Sequence, residues 1–355
     1  MSSDDLVVPL EPLETWYTRR TTEVLTEVVA LVRREASTAE QAALLETTFA
    51  SFSDELAEQP SCWPAIHLPL LVYHALRGDD APALPVAVAT TCLFAGFDVL
   101  DDLADGDAPA AWQAYRPAEL QLAALTLLCA LPTLALRAGG VPAPARAALL
   151  DTIAGGGLRI AAGQQQDLRL MGSAAPAAAS AEAALARGGE ELGLFAGLAA
   201  QHAGATSAAV EAWTEFGRGL GALWQLRADW DDLFGPAPSK DLANGARTLP
   251  IALALRHLRG EAHADLLTLL ARAREDPTAR PAVRAMIARS GATWHVAWLG
   301  QVYGQRARRA LGAAAPSGPA VAILEQLIAD DLPGSRAPSS TTAISSSTST
   351  ITSAR

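Results

Sequence analysis

The stretch FAGFDVLDDLADGDAP, residues 94–109, ends an apolar segment with five aspartates within ten positions. If a helix continues to residue 105, four of them share one face at i, i+3, i+4 and i+7, namely Asp98, Asp101, Asp102 and Asp105. Like charges at this spacing destabilise a helix, and aspartate is a poor interior helix residue. A divalent cation offsets both effects, since Mg²⁺ binds one or two carboxylates and completes its coordination with water and phosphate oxygens. The D-D-x-x-D pattern therefore predicts carboxylates that bind Mg²⁺.

Taken alone, this cluster has other interpretations. A solvated acidic helix end is as consistent with the residues as a metal site. A calcium-binding EF-hand is a poor fit, because counting back from Gly106 puts Leu103 at the third ligand position and Trp112 at the twelfth, where Glu is expected. A second cluster farther along the chain favours the metal site.

That second cluster ends another apolar segment, residues 221–235, with Asp229, Asp231 and Asp232. Gln225 precedes Asp229 by one turn, and the surrounding aromatic residues are Trp224, Trp230 and Phe234. Two helices can thus bring carboxylates to one cavity, with Mg²⁺ ions and a diphosphate between them. Loss of diphosphate from an allylic carbon needs this arrangement, because metal ions neutralise a leaving group of about three negative charges while a dry aromatic pocket stabilises the carbocation.

The rest of the chain has the composition and periodicity of helices. Half of the 355 residues are hydrophobic, alanine and leucine dominate, and β-branched residues are sparse. Clusters of Gly, Pro and Asp separate apolar segments of helical periodicity, and no segment alternates strongly enough to predict a strand. Long apolar helices with short connectors predict an all-α helical bundle.

The charge, the termini and the cysteines narrow the class of protein. The net charge is −11 with no long basic run, so nucleic acid is not an expected partner. The N-terminus lacks the basic region of a signal peptide and the three cysteines lack CxxC spacing, so we expect reduced core thiols in a cytoplasmic protein. The most apolar stretch, residues 122–136, is too short to span a membrane and contains Pro132, which predicts a buried core helix and no membrane span. We expect one all-α domain over residues 1–332 and a disordered Ser/Thr-rich tail over 333–355.

Three ordered motifs resemble the trans-isoprenyl diphosphate synthase (polyprenyl synthetase) family. LDDLADGD, residues 100–107, is similar to its first aspartate-rich motif, and GQQQDL, residues 163–168, is similar to G-Q-x-x-D-L. WQLRADWDDLFG and KDLANGARTLP, residues 224–235 and 240–250, are similar to the second motif and its T-L-P trailer. The resemblance, over residues 60–260, implies the all-α isoprenoid synthase (class I) fold around a central cavity. It also implies Mg²⁺ dependence, an allylic prenyl diphosphate as substrate, and the possibility of a homodimer. We expect two or three Mg²⁺ ions and a substrate of C15 or C20.

Spacing and resemblance together give the candidate site residues. The candidate metal ligands are Asp101, Asp102 and Asp105, which are also the candidate catalytic residues, together with Asp229 and Asp232. The candidate substrate-binding residues are Gln164, Asp167, Gln225, Lys240, Arg247 and Phe97. The polar residues of GQQQDL either face the cavity or form a buried polar pair between helices, and the two cations either bind the diphosphate or form surface salt bridges. By resemblance, the bulky Phe97 limits the length of the bound chain, with ordinary core packing as the alternative.

Basic residues that the family uses have no counterpart here. They comprise an N-terminal K-R-x-R-P motif, an arginine pair after the first acidic motif, the lysine of a Lys-Thr pair and a lysine of the trailer. The corresponding positions are AIHLP at 65–69, Ala110 and Ala111, Glu190 and Glu191, and Ala246. By resemblance the N-terminal cations and the arginine pair after the first acidic motif hold the homoallylic isopentenyl diphosphate, and apolar side chains cannot replace the charge-assisted hydrogen bonds of arginine. In the second acidic motif, Ala228 takes the place of the first Asp, and Asp231 is a candidate substitute.

These departures favour one hypothesis over two others. Because the first acidic motif is intact while cations for a second diphosphate are missing, we expect an enzyme that ionises an allylic diphosphate and cyclises or quenches the carbocation, as a terpene synthase does. The first alternative is a prenyltransferase that elongates the allylic diphosphate with isopentenyl diphosphate, using cations from elsewhere in the chain. The second alternative is a non-catalytic partner subunit of a prenyl diphosphate synthase, which the altered second motif supports.

Overall fold

Helices form the regular structure of the computed structural model, which describes residues 12–58, 61–106, 108–170 and 177–330; these ranges contain no β-strand. The all-α prediction is therefore confirmed. The α-helices are α1 Leu13–Glu35, α2 Ala39–Glu58, α3 Pro64–Arg77, α4 Leu84–Asp105, α5 Pro117–Leu125, α6 Leu131–Ala138, α7 Ala143–Leu170, α8 Ala177–His202, α9 Ser207–Phe234, α10 Lys240–Asn244, α11 Leu249–His257, α12 Gly260–Glu275, α13 Arg280–Arg289, α14 Ala292–Ala314 and α15 Ala320–Asp330. The expected domain end near Leu332 and the tail after it lie outside the described residues.

The chain returns along α4 through α5 and α6. Gly139, directly after α6, lies against Pro85 at the start of α4, and Gly96 in the middle of α4 lies against the π-helical turn between α5 and α6. The two segments are therefore antiparallel, and α7 begins near the end of the bundle where α4 begins. Gln164 Nε2, late in α7, donates a hydrogen bond of 2.7 Å to Asp101 Oδ1, late in α4. Helices α4 and α7 thus run in the same direction and end together.

Helices α7, α8 and α9 continue this alternation. Arg159 of α7 pairs with Glu190 of α8 at 2.6 Å, and Gly156, about one turn earlier, lies against Leu194, about one turn later. Helices α8 and α9 are antiparallel as well, because Gly188 lies against Gly221 while Gly197, later on α8, lies against Thr214, earlier on α9. Because α7 and α9 both run antiparallel to α8, the two acidic helices α4 and α9 end at the same end of the bundle.

Glycines let α8 and α9 pack at backbone distance. A Cβ added at Gly221 would overlap the carbonyl oxygen of Gly188, and one at Gly217 would overlap that of Leu192. The distance between helix axes depends on the side chains at the contact, so glycine on both sides brings the axes together. A Cβ added at Gly188 would also lie 3.2 Å from the Cβ of Gln225, the glutamine one turn before Asp229. The glycines therefore set the position of the second acidic motif.

Helix α1 packs on the start of the bundle through buried polar groups. Arg20 Nε donates a hydrogen bond of 3.0 Å to Asp80 Oδ2. His67 of α3 is buried; its Nδ1 accepts a hydrogen bond of 2.8 Å from the Trp63 backbone N–H, and its Nε2 lies 3.2 Å from the Tyr17 carbonyl oxygen. An acceptor at Nδ1 and a donor at Nε2 describe a neutral ring. Burial lowers the pKa of His67 to about 3.

We expect His67 to make the free energy of unfolding fall as the pH drops below 6.5, its ordinary pKa. The unfolded chain takes up a proton there, whereas the folded protein does so only near pH 3, so each pH unit in this window removes roughly 1 kcal/mol. Chemical denaturation of the wild type and of His67→Gln between about pH 7 and about pH 4 tests this. The stability difference between the two proteins should shrink with falling pH, and a pH-independent difference would contradict a neutral buried ring.

The apolar stretch 122–136 is not the buried core helix that we predicted. The π-helical turn interrupts it, and one side is exposed, with Leu122 and Leu125 exposed to 64% and 57%. Pro132 lacks the N–H that would continue an α-helical ladder, and a π-helical turn is one way in which helices absorb such a break. The expectation of a core thiol is also wrong for Cys129 in this stretch, which is exposed.

Two helical stretches are long and apolar enough to cross a membrane by length and composition alone, Ala81–Asp105 and Pro117–Ala138. In the most apolar window of each, 67% and 44% of the residues are buried in the protein. The core helices of soluble proteins meet the same criterion, so the absence of a membrane span stays a prediction.

Candidate active site

A cavity of about 690 Å³ lies between α4, α7, α8 and α9 and is bordered by the segment from α10 to α11. Its acidic side chains are Asp98, Asp101, Asp105, Glu191, Asp229 and Asp241, and its aromatic side chains are Phe94, Phe97 and Trp224. Along α4 the two aromatic residues precede all of the aspartates, so the apolar part of the cavity lies deeper than the acidic part. This is the arrangement that the two acidic motifs predict.

The first acidic cluster occupies the last two turns of α4. The helix ends at Gly106, whose φ of 76° is left-handed and whose N–H donates a hydrogen bond to the Asp102 carbonyl oxygen. A helix C-terminus carries partial negative charge, so carboxylates here are unfavourable both to the helix dipole and to one another. Asp98, Asp101 and Asp105 line the cavity, whereas Asp102 is not among the described residues that do. A cation in the cavity would offset the mutual repulsion of these side chains.

Gln164 orients the carboxylate of Asp101. It reaches across from α7 and also lines the cavity, as predicted, so the two helices meet through this hydrogen bond. A neutral amide fixes the carboxylate without neutralising its charge. The side chain of Asp167, the other candidate from GQQQDL, lies outside the described residues.

Asp229 is the buried carboxylate of the second cluster, only 3% exposed. Gln225 Nε2 donates a hydrogen bond of 2.7 Å to its Oδ1, and the backbone N–H of Leu249 donates one of 3.0 Å to its Oδ2. Leu249 is the first residue of α11, so Asp229 lies at the positive end of that helix dipole. The T-L-P trailer therefore has a physical role, because it supplies the helix N-terminus that holds Asp229.

Asp232 supports the backbone after α9. It accepts hydrogen bonds from Ser239 Oγ at 2.5 Å and from the backbone N–H groups of Lys240 and Asp241 at 2.8 Å and 3.3 Å. It is not among the described residues that line the cavity. Its contacts place Asp232 at the start of α10, where it positions Asp241.

The side chain of Asp231 is paired with an arginine of its own helix. Its carboxylate forms an ion pair of 2.5 Å with Arg227 on the same helix. Ala228, which stands where the family has an aspartate, lines the cavity, and Asp231 is not among the described residues that do. The structure therefore does not favour Asp231 as its substitute.

Asp241 lines the cavity, and the aspartate-rich motifs do not identify it as a site residue. Burial, then the charges of Asp232 and Asp229, raise the pKa of the Asp241 carboxyl well above its ordinary value; the charge of Asp105, on the other acidic helix, acts in the same direction. The signal in the sequence is the aspartate of KDLANGARTLP, within the trailer. Asp105 on α4 thus lies close enough across the cavity to affect the protonation of Asp241.

The donor set fits a cation that keeps part of its own water shell. Within the described ranges, no group of three or more His, Cys, Asp or Glu side chains is arranged to hold a metal ion by itself. Mg²⁺ usually binds one or two carboxylates and fills its remaining positions with water and substrate phosphate. The cavity offers two such carboxylates on each side, Asp101 and Asp105 from α4 and Asp229 and Asp241 from the opposite side.

The two predicted cations lie beside the second cluster, and neither is among the described residues that line the cavity. Lys240 is exposed. Arg247 Nη1 donates a hydrogen bond of 3.3 Å to the Gly245 carbonyl oxygen, and burial together with the charge of Arg274 lowers the pKa of Arg247. Of the Arg and Lys side chains that the structure describes, only Arg169 of α7 lines the cavity.

The positions at 65–69, 110, 111 and 190, where the family has basic residues or a Lys-Thr pair, offer no positive charge here. The 65–69 segment is buried in the core, and His67 within it is neutral. Ala110 and Ala111 are exposed. Glu190 forms ion pairs with arginines of α7 and α9.

Comparison with known proteins gives one family and many similar folds. A family model described as polyprenyl synthetase matches residues 67–287. Geranylgeranyl pyrophosphate synthetase from Pyrococcus horikoshii is similar with a TM-score of 0.76 and 18% identity, over 90% of this chain and 98% of that one. Geranylgeranyl pyrophosphate synthase from Corynebacterium glutamicum, complexed with isoprenyl diphosphate and magnesium, has a TM-score of 0.76 and 19% identity, over 91% and 99% of the two chains.

A third similar structure is polyprenyl synthase from Caulobacter crescentus, complexed with calcium and isoprenyl diphosphate, with a TM-score of 0.72 and 22% identity over 92% and 99% of the two chains. No curated protein sequence matches this chain. Likeness at these identities establishes the fold, so the predicted class I isoprenoid synthase fold is confirmed.

Proposed function

This chain belongs to the polyprenyl synthetase family, and on that premise we propose that it is a prenyltransferase. In the proposed reaction an allylic prenyl diphosphate ionises with release of inorganic diphosphate, assisted by divalent cations. The prenyl carbocation then adds to the double bond of isopentenyl diphosphate, and the product loses a proton. Family membership favours this elongation over the terpene synthase reaction expected from the sequence alone, which becomes the second candidate.

The observation that carries the proposal is the pair of acidic groups facing one cavity. Asp105 of α4 contributes to the raised pKa of Asp241, beside α9, so a cation between them would relieve repulsion from both sides. Bound Mg²⁺ would neutralise the charge on the departing diphosphate, and the residues that would hold it are Asp101, Asp105, Asp229 and Asp241.

The chain's own residues fix these carboxylates before any substrate binds. Gln164 donates to Asp101 and Gln225 donates to Asp229, each over 2.7 Å. Groups held in place in this way need little reorganisation as charge develops, which is the main source of electrostatic catalysis.

An aromatic wall joins the two acidic helices deeper in the cavity. The rings of Phe94 on α4 and Trp224 on α9 stack with centroids 6.3 Å apart, and Trp63 meets Phe94 edge-on at 5.4 Å. Phe97 lies along α4 between this wall and Asp101 and lines the cavity. Aromatic faces stabilise a nearby carbocation and exclude water that would quench it.

The substrate class is extended from two similar structures. They contain isoprenyl diphosphate, one with magnesium and the other with calcium. For this chain we propose an allylic prenyl diphosphate of C15 or C20; the cavity, about 690 Å³, has the volume of a small-molecule binding pocket.

The second candidate is a terpene synthase-like reaction, in which the carbocation cyclises or is quenched in the cavity. The observation that favours it is the chemistry at the family's basic positions. Ala65, Ile66 and Leu68 are buried in the core, and Glu190 is held by arginines. None of these groups can bind a second diphosphate.

We expect isopentenyl diphosphate to decide the product. Pure protein with Mg²⁺ and geranyl, farnesyl or geranylgeranyl diphosphate should give longer prenyl diphosphates only when isopentenyl diphosphate is added, detected by mass spectrometry. A hydrocarbon or terpene alcohol from the allylic substrate alone, detected by gas chromatography, would replace elongation with the second candidate. If no product forms under either condition but the protein co-purifies with an active synthase, the chain is a partner subunit.

A further inference from the structure

Among the charged side chains that line the cavity in the described part of the chain, most are acidic and one is positively charged. Six acidic side chains line it, and Arg169 is the single Arg or Lys of the described residues that does so. Arg169 is exposed, and it forms no hydrogen bond or ion pair with any residue in the described part of the chain. An arginine that lines an acidic cavity without such a partner is available for an anion.

The level of Arg169 along the bundle is fixed by the hydrogen bond between Gln164 and Asp101. Arg169 follows Gln164 by five residues on α7, about 7.5 Å of helix rise, and Asp105 follows Asp101 by four residues on α4, about 6 Å. Because α4 and α7 run in the same direction, Arg169 lies level with Asp105. It is therefore at the acidic part of the cavity and above the aromatic wall.

We infer that Arg169 binds the diphosphate group of the allylic substrate, as a diphosphate-positioning residue that no motif of the chain predicts. The inference rests on the proposed function and names a contact within that same site. A planar guanidinium can donate two parallel hydrogen bonds to phosphate oxygens, and such charge-assisted bonds are the strong ones. At the level of Asp105, this fork meets the same diphosphate that the carboxylates approach through divalent cations.

Other cations are less well placed for this role. Arg247 donates to a backbone carbonyl, and neither it nor Lys240 is among the described residues that line the cavity. Arg159, ten residues before Arg169 on the same helix, is committed to Glu190 on α8. Arg159 therefore provides a matched control, with the same side chain on the same helix but a protein carboxylate as partner.

The test is calorimetric binding of inorganic diphosphate in the presence of Mg²⁺, which needs no turnover. We expect Arg169→Gln to raise the Kd for diphosphate by about tenfold or more, Arg169→Lys to raise it less, and Arg159→Gln to leave it unchanged. Thermal unfolding of each variant checks that it is folded. In steady-state assays Arg169→Gln should raise KM for the allylic diphosphate and leave KM for isopentenyl diphosphate unchanged.

The inference is overturned if folded Arg169→Gln binds diphosphate as tightly as the wild type, if the wild type does not bind it, or if only KM for isopentenyl diphosphate changes. Failure of the proposed function can be distinguished from failure of this inference. Diphosphate binding that depends on Arg169, in a protein that converts no prenyl diphosphate, would support the binding site and remove the prenyltransferase activity.

Discussion

Replacing Asp101 by asparagine should lower turnover of an allylic prenyl diphosphate by about 10²- to 10³-fold. Asp101 lines the cavity, and its Oδ1 accepts the hydrogen bond from Gln164. Asparagine has the same shape and keeps an oxygen acceptor for Gln164, so the substitution removes the negative charge while preserving the packing. The loss of rate would therefore report on metal–diphosphate neutralisation and not on misfolding.

The control for Asp101→Asn is Asp265→Asn, since Asp265 is an exposed aspartate of α12 outside the cavity. Diphosphate release in a coupled assay, at saturating Mg²⁺, measures both variants. Asp265→Asn should retain wild-type turnover. Full activity in Asp101→Asn would show that the first acidic motif is not part of the catalytic machinery.

Replacing Gly221 by alanine should lower the free energy of unfolding by about 3 kcal/mol. The new Cβ would overlap the Gly188 carbonyl oxygen, which is backbone and cannot rotate away. Relief requires α8 and α9 to separate, and Gln225 lies only one turn beyond the contact. We therefore expect kcat to fall as well, because Asp229 loses its positioned amide.

The matched control for Gly221→Ala is Gly157→Ala in the middle of α7, where an added Cβ would meet nothing within 4 Å. Alanine is the better helix former, so this variant should be more stable than the wild type by up to about 1 kcal/mol. Urea denaturation of both variants gives the comparison. Equal stability of Gly221→Ala and the wild type would mean that the helices do not approach at backbone distance there.

The features that sequence predicted well are those that depend on local pattern. Helical periodicity places Asp101 and Asp105 on one face, and the structure finds both on the cavity wall. The glutamine one turn before Asp229 is bonded to it, as i to i+4 spacing allows. Antiparallel packing of successive helices then brings the two acidic helix ends together.

The features that sequence did not predict depend on tertiary contacts. Asp232 has a helical position that suits a ligand, but the turn at residues 239–241 folds back and takes its oxygens. The same turn brings Asp241 to the cavity, which spacing along one helix cannot show. The close approach of α8 and α9 follows from glycines on two helices whose register is set only when both are packed.

The chemistry of the second diphosphate separates the two candidate functions. Where the family has basic residues, the chain has the buried segment 65–69, the exposed Ala110 and Ala111, and Glu190. Arg169, by contrast, places one positive charge at the cavity. One arginine at the level of Asp105 suits the metal-bound diphosphate. The described residues that line the cavity offer no further cation for isopentenyl diphosphate, which elongation needs and a terpene synthase-like reaction does not.

The most direct test of the metal–diphosphate site is release of inorganic diphosphate from geranyl, farnesyl and geranylgeranyl diphosphate, each with and without isopentenyl diphosphate. We expect release from at least one of them with Mg²⁺, EDTA to abolish it, and Asp101→Asn to slow it by about 10²- to 10³-fold. Folded wild-type protein that releases no diphosphate from any of these substrates, with or without isopentenyl diphosphate, would contradict a catalytic site between α4 and α9.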